Sequence, residues 1–451
     1  MFLSSAMITG AVEAANGTGN GTHMWLGIAI FVFAYILIAS EKIDKTIASI
    51  LGAGLMVAVG VAGFTEMLGK IDLNVLGLLI GMMVMVNIMA TTGVFEYLAV
   101  TIARQTRGNG ALVVLEFLCA TAFISAFMDN VTTVILMAPV TILITQLLRL
   151  PTAPILILEA IFSNIGGTAT LIGDPPNILI GASCGLSFND FLLNLTPVVI
   201  LIAAASLAVV LFQMRKSLRT APGAVAQVRM TEPKLAILDP VRLSRSLWVF
   251  AIVLIGFFTS RVTGLEPGLI AICGSFVMAL VCRIELSRML EKVEWNTILF
   301  FCGLFMMVGA LEIDGVFEKL GTEMIGLTRG NFALTMMMIL WGSALLSAVI
   351  DNIPLVISMI PLITSIIPEL AEKTGMSPDQ VREPLFWALA LGACLGGNGT
   401  LIGASANVVV CQIARRNRYP VNFRQFTKYG FPLMILSVAI SSVYLYFRYI
   451  Y

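Results

Sequence analysis

Long apolar runs separated by short polar segments dominate this chain. The runs last about 16–20 residues, and a helix needs about 20 residues to cross roughly 30 Å of hydrocarbon. Membrane-crossing helices are predicted at residues 25–40, 47–64, 74–92, 155–185, 191–213, 247–260, 267–282, 296–313, 385–413 and 430–447. The pattern therefore predicts an all-α, polytopic membrane protein.

Two further apolar stretches, at residues 110–148 and 331–370, are long enough for two helices each. A polar pair interrupts each stretch at its middle, Asp129-Asn130 in the first and Asp351-Asn352 in the second. Polar backbone at membrane depth is tolerated where it is buried in protein or lines an aqueous cavity. We therefore predict that both stretches are re-entrant hairpins with polar tips.

The two halves of the chain repeat each other. Residues 93–139 and 315–361 align without a gap at an offset of 222, with 21 identities in 47 positions. After an insertion of eight residues the offset becomes 230, which pairs Gly166-Gly167 with Gly396-Gly397. Each half has five predicted crossings, an odd number, so the second copy must be inverted in the membrane. We predict two inverted-topology five-helix repeats, each with a re-entrant hairpin and a broken helix, an architecture typical of transporters.

Basic residues predict the orientation, because cytoplasmic loops retain Lys and Arg. With the N-terminus outside, 20 of the 27 Lys and Arg fall in cytoplasmic loops. The predicted organisation is a flexible extracytoplasmic tail (1–24), a first repeat (25–213), a basic cytoplasmic linker (214–246) and a second, inverted repeat (247–451). We expect a multi-pass protein of the cell inner (plasma) membrane.

The composition of the chain limits the kinds of partner, cofactor and metal site that we expect. The chain is 58% hydrophobic and 12% charged, with a mean hydropathy of +0.96, whereas soluble proteins are about a quarter charged. A net charge of +1 gives no reason to expect nucleic acid as a partner. One histidine and seven scattered cysteines, without CxxC or HExxH spacing, argue against a zinc site, attached haem or disulfides. We therefore expect no cofactor and no metal centre.

Two segments cannot remain continuous helix at membrane depth. Residues 163–177 contain the pairs Gly166-Gly167 and Pro175-Pro176, and residues 396–407 are rich in glycine and polar side chains. An unwound helix offers carbonyls to a cation, and the half-helix that follows offers N–H groups to an anion or polar solute. Either segment alone is also compatible with a packing kink, but their matching positions in both repeats favour a binding site.

Carboxylates within membrane segments are costly and are functional candidates by default. Asp129 and Asp351, at the hairpin tips, either contribute to cation or proton sites or cap the helix that follows. Asp174 and Glu159 have no acidic counterpart in the second repeat. That asymmetry makes both of them proton-coupling candidates, with a simple buried hydrogen bond as the alternative for Glu159.

The predicted substrate- and ion-binding residues lie at the two hairpin tips and the two helix breaks. They are Asp129, Asn130, Thr132, Thr133, Asn164, Gly167, Thr168, Thr170, Gly173, Asp174, Asn177, Asp351, Asn352, Gly397, Asn398, Thr400, Ser405 and Asn407. The coupling ion is expected to be H⁺ or Na⁺, with the hairpin tips as the place for Na⁺.

Three motifs carry a family resemblance: SAFMDNVTT at 125–133, SNIGGTATLIGDPPN at 163–177 and LGGNGTLIGASAN at 395–407. They resemble the ion-transporter superfamily, in the branch of arsenite permeases, NhaD-type sodium/proton antiporters and the P protein (pink-eyed dilution). The resemblance covers residues 25–447. It implies a transport domain that moves against a scaffold, usually in a homodimer, and a cytoplasmic energising ATPase subunit if the chain is an arsenite permease.

The hairpin tips depart from the dicarboxylate branch of that superfamily. Its Ser-Asn-Thr signature falls here on Asp129-Asn130-Val131 and Asp351-Asn352-Ile353, so that an acid replaces each serine. Added negative charge at low dielectric repels a polyanion. The resemblance therefore favours a small inorganic solute over di- or tricarboxylates.

The residues and the resemblance together predict a secondary active transporter, and not an enzyme, that works by elevator-type alternating access. The leading hypothesis is efflux of arsenite or antimonite with proton exchange. Sodium/proton antiport is the alternative, because both activities need carboxylates that load and release a cation. An anion channel and a dicarboxylate carrier are further alternatives. The expected partners are the lipid bilayer, the small solute and a second copy of the chain.

Overall fold

The computed structural model describes residues 20–39, 42–106, 109–218 and 236–451. Throughout these residues the secondary structure is helical, without strands. The first half contains α1 (Asn20–Ala39), α2 (Lys45–Ala58), α3 (Phe64–Leu68), α4 (Leu73–Ala90), α5 (Val94–Gln105), α6 (Gly110–Ser125), α7 (Asn130–Leu148), α8 (Thr152–Gly167), α9 (Pro175–Cys184), α10 (Phe188–Asn194) and α11 (Thr196–Met214). The second half contains α12 (Pro240–Thr263), α13 (Pro267–Cys282), α14 (Leu286–Leu290), α15 (Trp295–Ile313), α16 (Val316–Thr328), α17 (Phe332–Ser347), α18 (Asn352–Thr374), α19 (Pro378–Gly396), α20 (Ser405–Arg416) and α21 (Phe423–Tyr449). The predicted all-α fold is confirmed.

The apolar runs form the membrane-length helices. Seven of the described helices are long and apolar enough to cross a bilayer, and a bent pair, α16 with α17, adds an eighth if it is counted as one span. Five of the ten predicted crossings overlap one of these seven helices, and the other two of the seven are α7 and α18, the second arms of the predicted hairpins. Each predicted crossing contains helix, but the run at 47–64 extends past the end of α2 at Ala58, and the runs at 155–185, 191–213 and 385–413 are each divided between two helices.

Two amphipathic helices, α5 and α16, were not among the predicted crossings. Each begins directly after a glycine in the left-handed conformation, Gly93 (φ +80°) and Gly315 (φ +72°), which other residues rarely adopt. The signal for both helices was present in the sequence, since these glycines begin the aligned segments of the two repeats.

Each predicted hairpin consists of two helices joined by a short break. The breaks fall at residues 126–129, between α6 and α7, and at residues 348–351, between α17 and α18. The second arms, α7 and α18, are by themselves long enough to cross a membrane. The hairpins are therefore present as helix pairs, and their re-entrant course stays a prediction.

The helix boundaries follow the sequence repeat. Helices α4 and α15 begin 222 residues apart, at Leu73 and Trp295, and so do α7 and α18. Beyond the insertion, α9 and α20 begin 230 residues apart, at Pro175 and Ser405. The inverted orientation of the second repeat stays a prediction.

One compact unit comprises residues up to Asp72, Trp295–Asn331 and Ile357–Pro378. In this unit α2 packs against α15, where a Cβ atom added to Gly303 would lie 2.7 Å from the Ser49 Oγ atom. Small residues let membrane helices approach closely. The pair therefore joins a helix from each repeat in one tight contact.

The other unit comprises Leu73–Glu294, Phe332–Val356 and Asp379–Tyr451. It contains the corresponding pair, α4 against α13, where a Cβ added to Gly81 would lie 2.4 Å from the Ala271 carbonyl carbon. It also contains α8, which packs against α6, α7 and α20. All the predicted site residues belong to this unit. Since each compact unit draws on both repeats, the repeats are units of sequence rather than of packing.

The predicted tail and linker boundaries need correction. Residues 20–24, assigned to the tail, belong to α1, and residues 240–246, assigned to the linker, belong to α12. The earlier start of α12 has a local cause: the Asp239 side chain accepts a hydrogen bond from the Arg242 N–H (2.9 Å), and Pro240 suits the first helical position. Residues 1–19 of the tail and 219–235 of the linker lie outside the described residues.

Candidate functional site

Paired glycines place the two helix breaks against the hairpins. Helix α8 ends at Gly166-Gly167, where a Cβ on Gly166 would lie 2.0 Å from the Ala122 carbonyl oxygen of α6. In the second repeat a Cβ on Gly396 would lie 2.4 Å from the Ala344 carbonyl oxygen of α17. Real Cβ atoms essentially never approach so closely, so only glycine fits either position. The paired glycines that predict unwinding therefore also allow the backbone of each broken helix to approach the backbone of the neighbouring hairpin.

Close contacts within each break also require glycine. The residues concerned are the predicted Gly167 and Gly173 in the first break and Gly397 in the second. A Cβ on Gly167 would lie 2.6 Å from the Gly173 carbonyl oxygen, and one on Gly397 would lie 2.7 Å from the Gly403 carbonyl oxygen. The glycines therefore let each unwound segment fold tightly on itself.

Threonine hydroxyls tie each break to the neighbouring hairpin tip. Thr170 donates to the Ala126 carbonyl oxygen, and Thr400 donates to the corresponding Ala348 carbonyl oxygen at 2.5 Å. The Thr168 hydroxyl donates to the Asn164 carbonyl oxygen one turn earlier. These hydroxyls have structural partners, so they fix the shape of the site.

Two asparagines fix the backbone of the unwound segments. The Asn177 side-chain N–H groups donate to the carbonyl oxygens of Thr168 (3.1 Å) and Thr170 (2.8 Å). In the second repeat Asn407 donates to the carbonyl oxygens of Gly397 (2.8 Å) and Thr400 (2.9 Å). The same residue type at corresponding positions therefore supports both breaks.

The tip aspartates each accept hydrogen bonds from the helix that follows. Asp129 accepts the Val131 N–H (3.1 Å) and the Thr132 N–H (2.9 Å), as an N-cap of α7, and also the Thr132 hydroxyl (2.5 Å). The Thr133 hydroxyl donates to the Asp129 carbonyl oxygen. The capping role predicted for this aspartate is therefore present at the first tip.

At the second tip, Asp351 accepts the Ile353 N–H at 3.3 Å. Its other carboxylate oxygen accepts the Ser405 hydroxyl at 2.9 Å, which joins the tip to the first residue of α20. Hairpin and broken helix are thus connected directly in this repeat.

A chain of side-chain amides joins the two repeats. The Asn130 side chain donates to the Asp174 Oδ1 atom (3.1 Å) and to the Asn164 Oδ1 atom (3.0 Å). Asn164 in turn donates to the Oδ1 atoms of Asn398 (2.9 Å) and Asn407 (3.0 Å). All five side chains are 3% exposed or less. The structure therefore brings together one hairpin tip and both helix breaks.

Three polar atoms of this cluster have no hydrogen-bond partner among the described residues. They are the Asp174 Oδ2 atom and the Nδ2 atoms of Asn352 and Asn398. Asp174 precedes α9 but makes no side-chain capping bond to it. A buried polar atom without a partner is unusual in proteins and calls for a specific explanation. The cluster and the neighbouring Asn352 thus present one acceptor and two donors that make no hydrogen bond of ordinary geometry, although the Asn352 amide lies close enough to act on the Asp174 carboxyl group.

The electrostatic surroundings of Asp174 are acidic and polar. The side chains that act on its carboxyl group are those of Asp129, Asp351, Asn352 and Cys394, and no Lys or Arg is among them. Cys394 also donates its thiol to the Asn177 Oδ1 atom, with an Sγ–Oδ1 distance of 3.6 Å. The sequence had not marked Cys394 as part of the site, although it occupies the position that corresponds to Asn164.

Ser125 and Ser163 were also missed. The Ser163 hydroxyl lies 3.1 Å from the Ser125 hydroxyl and donates to the Asn130 carbonyl oxygen at 3.0 Å. Both residues stand in the motifs at 125–133 and 163–177, so their presence in those motifs was the available signal. They hold the first hairpin tip against α8.

Glu159 stands apart from this cluster. It is fully buried in α8, and its Oε1 atom accepts the Thr141 hydroxyl of α7 at 2.9 Å. No group of three or more His, Cys, Asp or Glu side chains that suits a metal ion occurs among the described residues. The polar groups that the site residues contribute are amides, hydroxyls, carboxyls and backbone carbonyls.

Comparison with known proteins extends this picture. The chain matches the CitMHS family, described as citrate transporter, over residues 35–392. It is 41% identical over 428 residues to an uncharacterized transporter of Mycobacterium tuberculosis, covering 94% of this chain and 98% of that protein. It is 33% identical over 500 residues to the P protein of Mus musculus, covering 93% of this chain and 59% of that protein.

Among solved structures, the fold resembles the YdaH transporter of Alcanivorax borkumensis, with a TM-score of 0.53 and 16% identity. The similarity covers 85% of this chain and 87% of that one. The family match extends over most of the chain and includes the first hairpin and break, in agreement with the motif resemblance. This chain therefore belongs to the CitMHS citrate transporter family, within the ion transporter superfamily.

Proposed function

We propose that this membrane transporter of the CitMHS and P protein type exchanges a small uncharged inorganic solute, arsenite as arsenous acid, for protons by elevator-type alternating access. The observation that carries the proposal is the Asp174 carboxyl group. It is fully buried, one oxygen accepts the Asn130 amide, and the other makes no hydrogen bond of ordinary geometry, although the Asn352 amide and the Cys394 thiol lie close enough to act on the carboxyl group.

A buried carboxylate at membrane depth needs a proton or a cation to neutralise it. Among the described residues, the charged groups that act on the Asp174 carboxyl are the acids Asp129 and Asp351. Its side chain does not cap α9, which argues against a purely local role in the Pro175-Pro176 turn. A carboxyl group in this position is therefore suited to bind a coupling ion in one part of the cycle and release it in another.

The unused hydrogen-bonding atoms support an uncharged solute. The Asn352 and Asn398 amides offer donors and Asp174 offers an acceptor, which suits a small molecule whose hydroxyl groups both accept and donate. The negative charges of Asp129 and Asp351 also act on the Asp174 carboxyl group. Citrate, for which the family is named, is a polyanion that these three carboxyls would repel at low dielectric.

Sodium/proton antiport is the second candidate, favoured by the tip aspartates. Asp129 and Asp351 hold corresponding positions at the two hairpin tips, and each accepts hydrogen bonds from neighbouring N–H and hydroxyl groups. Hard carboxylate oxygens suit Na⁺ at the hairpin tips. In both candidates we propose a homodimer in the plasma membrane with the N-terminus outside.

Flux into proteoliposomes under imposed pH and Na⁺ gradients, with and without arsenite, tests the proposal. Wild-type protein should accumulate arsenite under a pH gradient, and Asp174→Asn should reduce this accumulation roughly tenfold or more while still exchanging solute down its own gradient. Asp379→Asn is the matched control, because this carboxylate is 80% exposed, and it should transport like wild type.

Three experimental results would contradict parts of the proposed exchange of arsenite for protons. Uphill arsenite transport by Asp174→Asn at the wild-type rate would remove Asp174 from the mechanism. Proton movement driven by a Na⁺ gradient without arsenite would establish the antiporter instead. Citrate accumulation by the wild-type protein would show that the three carboxyls do not exclude polyanions.

A further inference from the structure

A second buried carboxyl group lies on α8, away from the amide cluster. The Glu159 side chain is 1% exposed, and its Oε1 atom accepts the Thr141 hydroxyl at 2.9 Å. Its Oε2 atom has no hydrogen-bond partner, and neither has the Thr121 Oγ1 atom, which is also fully buried. The Thr121 hydroxyl nevertheless lies close enough to the Glu159 carboxyl group to act on it as a hydrogen-bonding neighbour. Residues from α6, α7 and α8 thus form one polar cluster, Thr121–Glu159–Thr141.

The second repeat shows that the fold does not require this cluster. At the offsets that align the repeats, Thr121, Thr141 and Glu159 correspond to Ser343, Ile363 and Leu389. The corresponding helices of the second repeat therefore form without a carboxyl group at this level. An acid kept at the first position only, at membrane depth, points to a function that the first repeat performs alone.

The chemistry of the cluster selects a proton as its ligand. One carboxyl and two hydroxyls provide too few oxygens for a hard metal ion, which takes about six. A proton on Oε2 would neutralise the buried acid, and the Thr121 and Thr141 hydroxyls are the polar groups that act on this carboxyl.

Among the described residues, no other ionisable side chain acts on the Glu159 carboxyl group. The helices packed against α8 are α6, α7, α11, α20 and α21, and the 3₁₀ turn Gly397–Gly399, which carries no ionisable side chain, also packs there. Their ionisable residues are Glu116 and Cys119 on α6, Cys411, Arg415 and Arg416 on α20, and Arg424, Lys428, Tyr429, Tyr444, Tyr446, Arg448 and Tyr449 on α21. The groups that act on the Glu159 carboxyl are the two threonines, and none of these side chains is among them.

We propose that the Thr121–Glu159–Thr141 cluster is a second proton-binding site, separate from Asp174, which takes up and releases one additional proton per transport cycle. Helix α8 connects the two places, because Asn164, five residues after Glu159, holds Asn130, Asn398 and Asn407 by hydrogen bonds. The transport part of this proposal rests on the proton coupling proposed above, whereas proton binding at Glu159 does not depend on it.

Infrared difference spectroscopy of the purified protein tests proton binding directly. A band of a protonated carboxyl group should appear in acid buffer and disappear in alkaline buffer. It should be lost in Glu159→Gln and kept in Asp174→Asn. A band that is lost only in Asp174→Asn, or a Glu159 band that does not respond to pH, would overturn the proposal.

A second variant keeps the test decisive if Glu159→Gln misfolds. The combination of Thr121→Ser, Thr141→Ile and Glu159→Leu installs the residues found in the second repeat, and it should fold and lose the same band. Counting protons per solute in proteoliposomes should give one fewer for this variant than for wild type, and an unchanged count would contradict the coupling role. If wild-type protein moves no protons with solute, the proposed function fails, while the infrared titration still decides whether Glu159 binds a proton.

Discussion

At the scale of single residues, the tip aspartates combine two roles that a change of charge can separate. Asp129 caps α7 through two N–H groups, and Asp351 accepts the Ile353 N–H and the Ser405 hydroxyl. Asparagine is as good an N-cap as aspartate but carries no charge. The two Asn variants therefore remove the charge and retain the cap.

We expect Asp129→Asn and Asp351→Asn to fold with thermal stability close to wild type and to show a weaker dependence of transport on pH or Na⁺. Asp129→Ala is the comparison, because it loses the cap and should cost about 1 kcal/mol of stability. Thermal unfolding in detergent and flux at several pH and Na⁺ values measure both effects. If transport by both Asn variants depends on pH and Na⁺ as it does in wild type, Asp129 and Asp351 act only as helix caps.

At the scale of helices, the contact between α8 and the first hairpin depends on Gly166. An alanine there would place its Cβ 2.0 Å from the Ala122 carbonyl oxygen, so α6 and α8 would have to separate. Overpacking of this kind typically costs about 1–3 kcal/mol. We expect Gly166→Ala to lower the unfolding temperature and to abolish transport, since the break would move away from the tip.

Gly54→Ala is the matched control for this prediction. Gly54 also lies inside a helix, α2, but a Cβ there would meet nothing within 4 Å. Alanine favours helix over glycine by up to about 1 kcal/mol, so Gly54→Ala should be neutral or slightly stabilising. Equal thermal shifts in the two variants would show that helix propensity, and not the contact of α8 with α6, sets the effect.

At the scale of the whole molecule, alternating access predicts that the two hairpin tips open to opposite sides of the membrane. Phe127 and Val349 occupy corresponding positions in the breaks of the two hairpins. In a background without the seven native cysteines, Phe127→Cys and Val349→Cys should react with a membrane-impermeant maleimide from opposite sides. The rate at each position should change when solute is added, because solute shifts the population of the two states. Reaction of both cysteines from both sides at once, independent of solute, would indicate a channel.

Part of the site could be derived from the sequence because its signals are local. Gly166-Gly167 and Pro175-Pro176 interrupt a helix wherever they occur, and Asp129 and Asn130 stand out as polar residues in an apolar run. Cys394 has no such local signal, because a thiol in an apolar segment forms no distinguishing pattern, and the sequence offers only its correspondence to Asn164 in the repeat. Its relevance comes from its contact with Asn177, which lies 217 residues away in the chain.

The sequence by itself determined that this is a helical membrane protein, that its halves repeat, and where its helices break. These properties depend on run length, apolarity and the backbone limits of glycine and proline, all of which act over a few residues. Only the tertiary structure decided that Asn164 joins Asn130 to Asn398 and Asn407, the last two 234 and 243 residues away. It also decided that Asp174, Asn352 and Asn398 each keep a buried polar atom without a partner, because whether a hydrogen-bonding group is satisfied depends on which distant segments pack around it.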